Sequence, residues 1–161
     1  MTSCRRGAVA ALVILFLPGL IGVLALVVDL GLLLHARTAL QASADLAALA
    51  GVQELDLEAL AQGTPRLLTE PARAAAESYA AINVLHQLGG EARAVLRMTV
   101  EVYNASPTEP LVHLRTGRVL EVPTVSVQLQ LPLRLVLAPR LLGRFDYLVE
   151  THADAAVVRR R

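Results

Sequence analysis

The chain of 161 residues has no lysine and no tryptophan, and it has a single cysteine. Each absence excludes something. One cysteine, Cys4, rules out an intramolecular disulfide framework and a cysteine-based zinc cluster. Aromatic residues make up 3% of the chain, so a large aromatic core is excluded. The formal net charge is +1, which gives no polyanion-binding balance and argues against nucleic acid as a partner. The lack of lysine reads as coding bias and carries no function. No P-loop, GxGxxG or GxSxG pattern is present. The four histidines, His35, His86, His113 and His152, show neither HExxH nor HxH spacing and read as surface or packing residues. We therefore expect no cofactor, no metal and no enzymatic site.

What the chain has in excess is apolar aliphatic weight. It is 55% hydrophobic with a mean hydropathy of +0.53, too apolar for an ordinary soluble domain of this size. From Gly7 to Val28 no charged or strongly polar side chain occurs, about the 20 residues a helix needs to cross the hydrocarbon core. Arg5 and Arg6 precede the run and predict a cytoplasmic N-terminus with the remainder translocated. A cleaved signal peptide is the competing reading. Its apolar region is normally shorter and ends at a small-residue site that this run lacks. Pro18 sits in mid-span, where it removes one backbone donor and predicts a bend.

The apolar run passes without a break into an alanine-rich helix. At 100° per residue, Gly22, Ala25, Asp29, Leu32, Ala36, Ala39, Ser43, Ala47 and Ala50 share one stripe. Small residues so placed predict a helix-packing face. Asp29 marks the membrane edge, either reaching the interface or pairing with a basic group on a neighbouring subunit. Asp29 and Asp45 are 16 residues apart and lie on nearly opposite faces, so they cannot act as a carboxylate pair.

Helical material is expected as far as Gly63–Thr64–Pro65. A second helix is predicted from Thr69, as N-cap, to Gly89, with Ala75, Tyr79, Ile82 and Leu85 as its core stripe, folding back antiparallel on the first. From Ala94 the period changes to two. Alternating segments around 94–103, 124–133 and 146–158 read as strands, with Pro132 marking an edge or a strand end. Leu111 to Val122 reads as a hairpin with Gly117 left-handed. Apolar matching favours a three-residue loop pairing Leu114 with Leu120 and Val112 with Val122. Ala138 to Phe145 reads as a short helical turn. Asn104-Ala-Ser fits a glycosylation acceptor, a pattern common by chance.

The predicted fold class is α+β: a long N-terminal transmembrane helix with an extramembrane continuation, and a second helix packed on a small, mostly antiparallel sheet of about five strands. The expected organisation is a cytoplasmic tail (1–6), a transmembrane helix (7–30), its continuation (31–62) and an α+β extracytoplasmic domain (63–161).

The segment from Arg5 to Gly51 resembles the N-terminal segment of TadE/TadG-like Flp pilus-assembly proteins, the Tad domain family. The resemblance rests on Arg6–Gly7 before the span, Pro18 within it, Asp29-x-Gly31, Arg37, and Leu40, Gln41, Ala44, Asp45, Ala47, Ala48, Leu49, Ala50 and Gly51. It implies a single-pass inner-membrane protein of a tight-adherence pilus system. Its partners would be the lipid bilayer and other pilus-assembly or pilin-like proteins, with a second copy of the chain also open. One departure matters. Prepilin-type members carry Glu five residues after a cleaved Gly, and after Gly7 that position is Leu12, so the span is expected to be retained. The rivals are a processed pseudopilin of a secretion system and a signal-anchored extracytoplasmic enzyme. The second would need His113 or His152 gathered with Glu121 or Glu150.

Overall fold

The computed structural model describes residues 3–135 and 146–157. The element order is α1 (Ser3–Val52), α2 (Leu57–Ala61), α3 (Thr69–Leu88), α4 (Gly90–Val95), β1 (Arg97–Tyr103), β2 (Leu111–Val112), β3 (Val119–Leu120), β4 (Thr124–Arg134) and β5 (Asp146–Ala156). The architecture is α+β, with a three-stranded antiparallel sheet in the order β1-β4-β5 and a two-stranded hairpin β2-β3. The turn expected over Ala138 to Phe145 lies outside the described residues.

The chain divides into two compact units: Met1–His35 with Leu133–Tyr147, and Ala36–Pro132 with Leu148–Arg161. In the first, α1 is apolar all round, and Ile14, Leu15, Phe16, Leu20 and Leu24 are all exposed. It is the one helix among the described residues long and apolar enough to cross a membrane. Only 11% of its most apolar stretch is buried, unlike the core helix of a soluble protein.

The second unit holds the packed core. Residues 36–52 of α1 belong to it, so the last third of the helix is part of the head itself. Leu40, Ala44, Ala47 and Ala48 of α1 are buried, as are Val125, Val127, Leu129 and Leu131 on one face of β4. Gly51 explains how closely these layers meet. A Cβ there would lie 3.0 Å from the Ala72 carbonyl oxygen, 3.0 Å from Val125 Cγ1 and 3.3 Å from Ala76 Cβ. Only a residue without a side chain lets α1, α3 and β4 converge at that point.

Four expectations are corrected here. Helix 1 does not run to residue 62. It stops at Val52, and Asp56 starts α2 by accepting from the backbone N–H groups of Glu58 (3.0 Å) and Ala59 (3.1 Å). The core stripe of α3 is Ala72, Ala76, Ala80 and Val84, whereas Tyr79, Ile82 and Leu85 are exposed. Close packing against Gly51 selects the small face of α3 over the large one. Thr69 is the first helical residue and Leu68 holds the N-cap position without a side-chain cap. Asn104 fixes this region instead: its Oδ1 accepts from Leu67 N (2.7 Å) and its Nδ2 donates to Leu67 O (3.1 Å). Finally, the hairpin pairs Leu111 with Leu120 and Val112 with Val119. Its loop is longer than predicted because His113 turns inward and organises it, while Gly117 is left-handed as expected (φ 68°).

The β1–β4 ladder runs from Tyr103↔Thr124 to Arg97↔Gln130. Pro132 lies past its last pair, at the end of the strand, so a central strand tolerates it.

Candidate functional site

The outer face of the sheet carries the polar alternates of its strands: Glu101 on β1, Ser126 and Gln128 on β4, Glu150, His152 and Asp154 on β5. A half-exposed polar face was expected, yet Ser126 is only 4% exposed. The hairpin covers it, and His113, 1% exposed, is the residue that reaches down. His113 Nε2 lies 3.2 Å from Ser126 Oγ and 3.2 Å from Asp154 Oδ1. His152 Nε2 lies 3.1 Å from Ser126 Oγ and 3.0 Å from Asp154 Oδ1. The His113 ring stacks on Tyr103 at a centroid distance of 5.2 Å and meets His152 edge-on at 5.5 Å. The Tyr103 hydroxyl donates to Glu101 and accepts from Leu114 N at 3.1 Å. Burial, and then the bond to Glu101, pushes the Tyr103 phenol above its ordinary pKa. Arg115 of the hairpin pairs with Glu150 at 3.2 Å, and Gln128 donates to the same carboxylate oxygen at 2.8 Å. An open depression reaches the cluster and is lined by Thr99, Glu101, Leu114, Arg115, Ser126, Gln128 and His152.

The hydrogen bonds assign the tautomer of His113. Its Nδ1 accepts from the backbone N–H groups of Arg115 and Thr116, each at 3.2 Å. The ring proton is therefore on Nε2, pointing at Ser126 and Asp154. Two chemistries follow, and both are disfavoured. A serine triad needs the carboxylate on one ring nitrogen and the serine on the other. Here Ser126 and Asp154 meet the same nitrogen, and the lone pair of His113 points away from the serine. A metal centre fares no better. His113, His152 and Asp154 bring ligand atoms within 4.8 Å of one another. A metal-bound imidazole, however, carries its proton on the nitrogen away from the ion and donates it outward. The Nδ1 of His113 faces two donors. The cluster is built as a hydrogen-bonded clamp that ties the hairpin to all three strands.

The histidine spacing alone gave no sign of this gathering. The signal in the sequence was His152-x-Asp154: two residues apart on a strand, they share a face. Of the acids named beside the histidines, Glu150 lies near the cluster, on Arg115 and Gln128, while Asp154, which was not named, sits inside it.

The small-residue stripe of α1 is occupied by the chain itself. In the second unit Ala36, Ala39, Ser43, Ala47 and Ala50 are buried, and Ser43 Oγ donates to the Ala39 carbonyl at 2.8 Å. In the first unit Gly22 is half-buried, Ala25 is buried, Leu32 is exposed, and Asp29 is 2% exposed with a polar interaction inside the chain. Asp29 thus lies on the buried side of α1 with a polar interaction already made.

The family-like residues divide in the same way. Leu40, Ala44, Ala48 and Gly51 are core. Gln41 Nε2 donates to Asp45 Oδ1 (2.9 Å) and to the backbone carbonyl of His152 on the edge strand β5 (3.1 Å), tying helix to sheet. Asp45 and Leu49 are exposed, and Gly31 has nothing within 4 Å of where a Cβ would lie.

No curated protein and no solved structure matches the chain significantly. Residues 7–54, which are the body of α1 and the turn that ends it, match the model of the Tad family, described as putative Flp pilus-assembly TadE/G-like, the family that this segment resembles in sequence.

Proposed function

We propose that the chain is a membrane-anchored, pilin-like or assembly subunit of a tight-adherence pilus, with no enzymatic activity. The family match over residues 7–54 carries this reading. The apolar first half of α1 supports anchorage, and Arg5 and Arg6 support a cytoplasmic N-terminus with the head outside. The polar cluster supports a structural role, since His113 holds its proton toward Ser126 and Asp154, and the serine and the carboxylate meet the same nitrogen of each histidine.

Partners are bound through exposed surfaces of the head and through the membrane half of α1. The stripe from Ala36 to Ala50 is already used internally. Leu substitutions at Ala39 and Ala47 would therefore disturb folding before they disturbed any docking.

The test is made in the host cell. Removing the chain should abolish Flp-type surface filaments, and the full chain supplied in trans should restore them. The native Cys4 should react with a membrane-impermeant maleimide only after the cells are opened, and the mature protein should keep its first seven residues by mass. Normal filaments without the chain would sink the pilus reading. A mature N-terminus directly after Gly7 would favour a processed pseudopilin.

A further inference from the structure

Two contacts fix how the sheet of the second unit runs along α1. Gly51 abuts Val125, near the start of β4. Ten residues earlier, Gln41 holds the His152 carbonyl on β5. The bond from Val157 N to Pro123 O (2.9 Å) places the end of β5 beside the start of β4. Moving along α1 toward its N-terminus therefore moves toward Leu131 on β4 and Leu148 on β5. By register the same end holds Met98 and Arg97, opposite Leu129 and Gln130. The helix α4 leads directly into Arg97, and Gly90 at its start lies against Leu85 (4.0 Å from where its Cβ would be). The chain enters this unit at Ala36, about 8 Å along the helix from Gln41 and at this same end.

The surface at this end is unusual for a solvated head. Leu85, Val95, Met98 and Leu148 are 43%, 48%, 38% and 54% exposed. Arg93 and Arg97 stand exposed among them, with Glu91 the one acid of α4. Apolar side chains rimmed by arginines suit a bilayer interface, where the aliphatic part enters the headgroup layer and guanidinium groups meet phosphate. The tether agrees, since the membrane-length apolar run joins the unit within a few residues of this surface.

We propose that this end of the head seats on the membrane, with Leu85, Val95, Met98 and Leu148 in the interface and Arg93 and Arg97 on lipid phosphates. The inference rests on the reading of residues 7–30 as a membrane span. Docking fixes the head against the bilayer and leaves the hairpin, on the outer face of the sheet, for protein partners.

The experiment uses the full chain with Cys4→Ser in vesicles of phosphatidylcholine with phosphatidylglycerol, carrying a nitroxide label at Val95→Cys or, as reference, at Leu114→Cys on the hairpin. The Val95 label should collide with dissolved oxygen and lose its collisions with a water-soluble nickel chelate. The Leu114 label should show the opposite pattern. Adding Arg93→Glu and Arg97→Glu should return the Val95 label to water. A Val95 label freely accessible to nickel, on protein that floats with the vesicles after alkaline washing, would overturn the docking alone. Failure to float would overturn the anchor itself. A label shielded from both probes in proportion to protein density would mean that a second copy covers the surface, which also overturns the proposal.

Discussion

Gly51→Leu should unfold the head, whereas Gly31→Leu should leave its stability unchanged. Both glycines belong to the family-like segment, and the structure separates them. A Cβ at Gly51 would meet a backbone oxygen and a core valine at 3.0 Å each, and neither can retreat without moving α3 or β4. Overpacking of this kind costs about 3 kcal/mol, and here the clash includes backbone. That is a large part of the roughly 5–15 kcal/mol that holds a domain together. At Gly31 the space is open. Thermal unfolding of the two variants in detergent, followed by circular dichroism, decides the matter. Equal melting temperatures would mean that the convergence at Gly51 is not what holds α1 to the head.

His113→Ala should release the hairpin while leaving the main sheet folded. The substitution strips the ring from Tyr103 and leaves Ser126, Asp154 and the N–H groups of Arg115 and Thr116 each short of a partner. Losses of this class cost about 3 kcal/mol where the groups stay buried. The hairpin ladder has only two residue pairs and cannot stand alone. Brief trypsin digestion should therefore cut the variant after Arg115 or Arg118 and spare the wild type. Resistance of the variant at both arginines would show that the clamp does not secure the hairpin.

Periodicity revealed the long helix, the strands and the segregated α+β order, because each periodic run buries one face regardless of its partner. It misassigned α3. Tyr79, Ile82 and Leu85 make the more apolar stripe, yet Ala72, Ala76 and Ala80 are buried because Gly51 and Val125 come too close for anything larger. Hydrophobicity ranks faces by affinity for a core, while close approach ranks them by size, and only the tertiary structure says which applies. The stripe on α1 was legible for the same reason that its partner was not. Small residues announce a close neighbour without naming it, and from Ala36 to Ala50 the neighbour is the chain's own head. The polar cluster was hidden by sequence distance, since His113 and Asp154 are 41 residues apart. A register set by an inward-turning histidine also cannot be inferred by matching apolar pairs.

The central claim is that the last part of the family-matched segment, residues 36–52, is the spine of the head and folds with it, without an external partner. Hydrogen exchange on the isolated full chain in lipid nanodiscs tests this most directly. The amides of Leu40, Ala44, Ala47 and Ala48 should be strongly protected in the absence of any other pilus protein. Rapid exchange of these amides in the isolated chain, with protection appearing only when pilus components are added, would contradict the account.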